Sequence, residues 1–183
     1  MASSTRAPFA AILFMGLFMG FAALSGCAHN PRTVWSPGER TLCAGRICYR
    51  VGALGTGWQL VHEEGTEIGF FNKRISAVIQ GNATCRDDAE AAPLASLTDH
   101  LLIGYTDRVV SKTETVAVDG REALHSVYRA KLDGVPLVLD LYVLKRNGCI
   151  FDLSYVAPPD RYEDGGVDFG DFVAGFADAR KVL

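Results

Sequence analysis

The stretch Leu124–Tyr155, LHSVYRAKLDGVPLVLDLYVLKRNGCIFDLSY, decides the fold of this 183-residue chain. Leu124, Ser126, Tyr128, Ala130 and Leu132 form one parity class, and Val135, Leu137, Leu139, Leu141 and Val143 form a second. A two-residue Asp133-Gly134 turn pairs Leu132 with Val135 and Leu124 with Val143, which places both classes on one face of an antiparallel pair. The next connection predicts a three-residue loop, Arg146-Asn147-Gly148, with Gly148 left-handed in a bulge. A two-residue turn there would set Leu141 against Ser154 and mix the faces. The longer loop pairs Lys145 with Cys149 and Leu141 with Leu153, so that Phe151, Leu153 and Tyr155 join the core. The opposite face carries His125, Arg129, Asp140, Tyr142, Asp152 and Ser154, with His125 opposite Tyr142 and Arg129 diagonal to Asp140. Two readings of these polar groups stand: the solvent face of a sheet with cross-strand ion pairs, or a ligand or partner face centred on His125, Arg129, Asp140 and Tyr142.

Upstream, Thr41–Val51 reads as a hairpin, and Trp58–Val61 and Ile68–Phe71 as two further strands. Ile75, Ala77 and Ile79 alternate with polar or smaller neighbours and predict another strand, which leaves its pattern at Gly81-Asn82. Leu94, Leu97, Leu101 and Tyr105 recur at helical spacing behind Pro93, so a helix from about Ala92 to Tyr105 packs on the sheet. Asp99 and His100 lie off that stripe, on its solvated side. Downstream, Pro158-Pro159 ends the last strand, and Asp160–Gly166 reads as an acidic loop whose Asp160, Glu163 and Asp164 lack calcium-loop spacing. Phe169, Phe172, Val173 and Phe176 give a closing helix an apolar stripe, with Asp168 as its expected N-cap. The fold class is therefore α+β: an antiparallel sheet of about six to seven strands, dominated by a long meander, packed against two main helices.

The N-terminal end carries an address. Phe9–Ala23 is apolar and uncharged behind Arg6, too short to span a bilayer and suited to a secretory signal. Leu24-Ser25-Gly26-Cys27 resembles the bacterial lipobox: a branched apolar residue, two small residues and a cysteine. The resemblance implies a signal peptide over 1–26, cleavage before Cys27, acylation of Cys27 and a stable anchor of two or three acyl chains. Ala28 behind it resembles the pattern sorted to the outer membrane. Residues 27–40 read as a lipidated tether, with Trp35 as a first core contact, and 41–183 as a single globular domain. Removing 1–26 from 183 residues leaves 157, a normal size for one domain. The whole-chain charge of −3 becomes −4 without Arg6, which argues against a nucleic-acid partner.

Four cysteines remain beyond Cys27, and an even count in an exported chain indicates disulfides. Cys43 and Cys48 suit a bridge across a short hairpin, and Cys85 and Cys149 are the natural second pair, although spacing alone does not fix connectivity. The alternative of a four-cysteine zinc site lacks the usual paired knuckles, so no metal is expected. No Ser-His-Asp order, nucleophile elbow or phosphate loop is visible, so neither a catalytic residue nor a cofactor is expected.

The order of parts, from the Gly57-Trp58 entry strand through the Leu-rich helix and the Asp-Gly meander to the Phe-rich closing helix, resembles the PsbP-like fold over about Trp58–Ala179. That fold, an antiparallel sheet between helices, is shared by photosystem extrinsic subunits, a Ran-binding nuclear import factor and small bacterial lipoproteins. The cysteines and lipobox are similar to the lipoprotein branch. The resemblance implies an α/β/α sandwich and a non-enzymatic role. The leading expectation is an envelope lipoprotein, facing the periplasm from the outer membrane, whose tethered domain docks a protein partner or supports envelope assembly. The alternative is a small-molecule or lipid-binding module using the polar cleft on the sheet.

Overall fold

The computed structural model describes residues 32–180. In chain order its elements are β1 (Thr33–Ser36), β2 (Thr41–Ala44), β3 (Ile47–Arg50), β4 (Trp58–Glu64), β5 (Glu67–Asn72) and β6 (Ala77–Cys85). These are followed by α1 (Leu94–Leu101), β7 (Thr106–Val118), β8 (Arg121–Leu132), β9 (Val135–Arg146), β10 (Cys149–Ala157), α2 (Tyr162–Ala174) and β11 (Ala177–Asp178). Strands β4 to β10 form a seven-stranded antiparallel sheet in the order β4-β5-β6-β10-β9-β8-β7, and β1-β2-β3-β11 form a second, smaller sheet.

The β8–β9 hairpin has the predicted register, with Leu132 opposite Val135 and Leu124 opposite Val143. Asp133 and Gly134 both take positive φ, 50° and 82°, the left-handed pair that matches the twist of the flanking strands. The β9–β10 hairpin differs from expectation. Asn147 and Gly148 also take positive φ, 52° and 73°, and the turn has two residues: Arg146 pairs with Cys149, Tyr142 with Leu153 and Leu141 with Ser154.

Faces mix without cost here because both faces of the sheet are covered. On one side, α1 seals Ala130, Leu139 and Leu141 together with Leu102, and Leu94, Leu97 and Leu101 pack near Val143 and Ile150. On the other, Phe169, Phe172 and Val173 of α2 close over Ala123, Leu144, Phe151, Leu153 and Tyr155. The face expected to be solvated is thus the larger core. Asp152 and Ser154 lie on the α1 side, away from His125, while Phe151, Leu153 and Tyr155 share the α2 side with it.

Other boundaries shift for physical reasons. Strand β6 does not end at Gly81-Asn82 but continues to Cys85. Gly81 marks a close approach, since a Cβ there would stand 3.3 Å from the Tyr49 ring. Helix α2 begins at Tyr162, six residues before the expected cap, so the presumed acidic loop is its first turns. Gly165 sits inside the helix because the Tyr155 hydroxyl would lie 2.5 Å from an added Cβ. Asp168, mid-helix, accepts hydrogen bonds from Gly55 N at 3.0 Å and Trp58 Nε1 at 2.8 Å, tying the loop before β4 to α2.

The stretch expected to be tether is in part folded. Thr33–Ser36 pairs with β2, and Trp35 packs edge-on against Phe70 at 5.8 Å. Cys27, the signal segment and the first tether residues lie outside the described residues. Cys43 pairs with Cys48 across β2–β3 and Cys85 with Cys149 across β6–β10, each as a disulfide.

Candidate functional site

Four elements each contribute one polar side chain to a network on the α2 side of the sheet. The elements are β7 with Glu114, β8 with His125, β9 with Asp140 and α2 with Tyr162. His125 Nε2 lies 2.7 Å from Asp140 Oδ1, and its Nδ1 lies 3.2 Å from Glu114 Oε1. Tyr162 donates its hydroxyl to Asp140 Oδ2 at 2.6 Å, and Lys112 Nζ closes the far end on Glu114 at 2.8 Å. The Tyr142 ring stacks on His125 with centroids 4.0 Å apart and 11° between planes.

His125 and Asp140 are 6% and 7% exposed, which leaves no room for a ligand against them. The environment favours un-ionised phenols and an ionised Glu114. Burial first, then the Asp140 charge, pushes Tyr142 up to about 12, and burial and the Asp140 hydrogen bond push Tyr162 well above the tyrosine range. The Lys112 hydrogen bond, then that of His125, holds Glu114 below the usual carboxylate range. Both ring nitrogens of His125 face carboxylates rather than a hydroxyl or thiol, so the network has no nucleophile to activate. It works as a clamp that fastens α2 to three strands.

Of the four residues expected to share a ligand or partner face, three meet: His125 and Asp140 buried and Tyr142 half-buried. Arg129 does not join them: it stays exposed opposite Val109, and Asp140 engages His125 and Tyr162 instead. Among the described residues no group of three or more His, Cys, Asp or Glu side chains could hold a metal ion.

An open cleft of about 460 Å³ lies on the other side of the sheet, along the flank of α1. Leu97 and Leu101 form its apolar wall over the buried Val143 and Ile150, Asn82 and Asp152 its polar floor, and Arg86 and His100 stand on its rim. Asn82 Nδ2 donates to Asp152 Oδ2 at 3.3 Å. Burial pushes the Asp152 carboxyl up to about 7; the Asn82 hydrogen bond opposes this and the nearby Glu67 charge adds to it. An acidic side chain alternating with apolar ones in β10 was the available signal, but the expected register assigned it to the wrong face.

A third feature is an apolar end. Ile103, Val109, Val110, Leu132 and Val135 are 71%, 61%, 55%, 40% and 58% exposed. They lie where α1 leaves the sheet, where β7 begins and where the β8–β9 hairpin turns. Strand β7 is also one of the two edges of the sheet, exposed over most of its thirteen residues.

These features define an α+β domain in which an antiparallel meander is sandwiched between two helices and backed by a small disulfide-bonded sheet. No family model matches the chain, and no curated protein matches it in sequence. Solved structures do resemble it. LpqN of Mycobacterium tuberculosis, described as involved in cell envelope biogenesis, superposes with a TM-score of 0.54 at 11% identity, over 72% of this chain and 84% of that one. A protein from Bacteroides thetaiotaomicron superposes with a TM-score of 0.52 at 11% identity over 84% of this chain, which spans only 50% of that protein. The cyanobacterial PsbP of Synechocystis gives a TM-score of 0.49 at 12% identity, over 87% of this chain and 98% of that one. At such identities the likeness is one of fold.

Proposed function

We propose that this chain is a non-enzymatic envelope lipoprotein, anchored through Cys27, whose domain docks a protein partner. The observation that carries the reading is the exposed apolar end beside the free β7 edge, set against the point where the chain enters the fold. Thr33 Oγ1 donates to Gly65 O at 3.1 Å and Trp35 N to Glu63 at 2.8 Å, so the chain enters at the β4–β5 turn. The antiparallel register puts that turn at the opposite end of the sheet from Asp133-Gly134.

An anchor at Cys27 reaches at most about 20 Å from Thr33, whereas the twelve residues of β9 span about 40 Å. A lipid-anchored domain therefore holds its Gly65 end at the membrane and presents its apolar end to partners. An apolar patch with an unpaired strand edge suits a protein surface. The cysteine bridges suit an oxidising envelope compartment, and LpqN offers an envelope precedent for the fold. Among the described residues no helix is long and apolar enough to cross a membrane.

The test is photo-crosslinking in cells from a benzoylphenylalanine placed at Val109 or Val135, with Glu122 as the control position. A common discrete product from the first two, lost when the other position of the pair carries Asp, supports the reading. No product from either position, with a lipid retained by the purified protein in native mass spectrometry, overturns it. Separately, Cys27→Ser should abolish acyl labelling.

A further inference from the structure

Helix α1 is too short to roof its whole side of the sheet. Its eight residues span about 12 Å and pack on β8, β9 and Ile150 of β10, leaving an open flank beside Asn82 and Thr84 of β6. There Asp152 stands directly opposite Asn82, at the floor of the cleft whose wall is apolar. Glu67, the nearest other acid, has its own partners: Gln80 Nε2 donates to it at 3.2 Å and His62 Nε2 lies at 3.6 Å. Arg86 on the rim is held by Asp88 at 2.9 Å. Asp152 pairs with no Lys, Arg or His among the described residues; its one side-chain partner is an amide. A half-buried carboxylate without a cation is costly, and an incoming cation relieves that cost.

We infer that this cleft binds a small amphipathic amine, its ammonium on the Asp152 carboxylate and its carbon body along Leu97 and Leu101. The volume lies within the range of small-molecule sites, and the mix of apolar wall and one oriented charge is the usual composition of such sites. Asn82 holds the carboxylate in place from below. Arg86 and His100 at the mouth disfavour a second positive charge on the ligand, and Glu67 reinforces the negative floor. The site lies across the sheet from the His125 clamp and does not depend on the docking reading.

Three probes of one shape separate charge from burial: 4-phenylbutylammonium, 4-phenylbutanol and 4-phenylbutanoate. They are titrated at pH 8 against the full chain in lipid nanodiscs, followed by the methyl resonances of Leu97, Leu101, Val143 and Ile150, so that probe dissolved in lipid is not counted. The ammonium should bind at least tenfold tighter than the alcohol, and the carboxylate weakest. Asp152→Asn should weaken the ammonium at least tenfold and change the alcohol less than twofold. Ser96→Trp, at an exposed rim position of the cleft, should block every probe while the thermal melt stays cooperative. Ammonium affinity should also rise between pH 5.5 and 8 as Asp152 ionises. No shifts with any probe, equal binding of all three, an ammonium affinity untouched by Asp152→Asn, or binding that survives Ser96→Trp would each overturn the inference.

Discussion

Replacing Asp152 by Asn should stabilise the protein, and only above a defined pH. In the fold the Asp152 carboxyl is pushed from 3.8 up to about 7, chiefly by burial. The raised value means that between about pH 4 and pH 7 the native state holds a proton that the unfolded chain has released. Native stability from this group is full below about pH 4, falls as pH rises through the window, and is lost above about pH 7. At about 1.36 kcal/mol per pH unit the difference sets a ceiling of about 4 kcal/mol, which solvent at the cleft mouth reduces to about 2 kcal/mol.

Asn keeps the acceptor for Asn82 Nδ2 and never ionises. Urea unfolding followed by far-ultraviolet circular dichroism, at pH 4, 6 and 8, should therefore show the two proteins converging at pH 4 and Asp152→Asn leading by about 2 kcal/mol at pH 8. Glu114 and Asp178 act in the opposite sense, because their carboxyls are lowered and their contribution is lost as pH falls. That background is common to both proteins and cancels in the difference. A difference that stays constant with pH, or a variant no more stable than the parent at pH 8, would refute the burial of a lone carboxylate at this position.

Other outcomes follow from packing and connectivity. The Cys85–Cys149 bridge closes a separation of 64 residues and Cys43–Cys48 one of 5, so chain entropy assigns them about 4 and 2 kcal/mol; paired Cys→Ser variants in urea titrations should show the larger loss for the first. Gly165→Ala forces a methyl against the Tyr155 hydroxyl and the Ile75 side chain and should cost about 1–3 kcal/mol. Gly170→Ala, in the same helix with nothing near its Cβ position, should instead gain about 0.5–1 kcal/mol; thermal melts of the two variants should move in opposite directions. Tyr162→Phe removes the hydrogen bond donated to Asp140 and should cost about 1.5–3 kcal/mol in a urea titration.

The parts of the fold legible in the sequence are those where turn chemistry and parity agree. Asp133-Gly134 can adopt the left-handed pair, and the flanking alternation admits only one register. The cysteine positions were legible too, since a hairpin turn and two strand ends place each pair face to face. The β9–β10 register was not, because the choice between a two- and a three-residue loop rested on the premise that one face of the sheet meets water. With helices on both faces that premise fails, and Asn147-Gly148 settles the turn by its own backbone preference. A slip of one residue moves every side chain of a strand to the other face. It carried Asp152 away from the cleft floor and into an apparent cluster with His125, where the structure instead builds a hydrogen-bonded clamp.

The cleft itself comes from a helix shorter than its stripe. Leu94, Leu97 and Leu101 pack as the periodicity requires, but Tyr105, one turn further on, would extend a helix that the structure ends at Leu101. Leu102, the residue that caps the helix, is 2% exposed beside the equally buried Thr98. The chain breaks there: Leu102, Ile103 and Tyr105 close tight backbone turns, and Gly104 takes a φ of 92° open to few other residues. A helix over the expected fourteen residues would run about 21 Å rather than 12 Å and carry its apolar face beyond the Leu102 turn. The early stop, set by the tight turns and the left-handed Gly104, leaves the short helix with an open flank above Asp152 and turns Ile103 outward into the apolar end. Moving that stop by Gly104→Ala, which strains a left-handed position with no neighbour to relieve, should therefore disturb the cleft and the docking end together, while the His125 clamp on the far side stays intact.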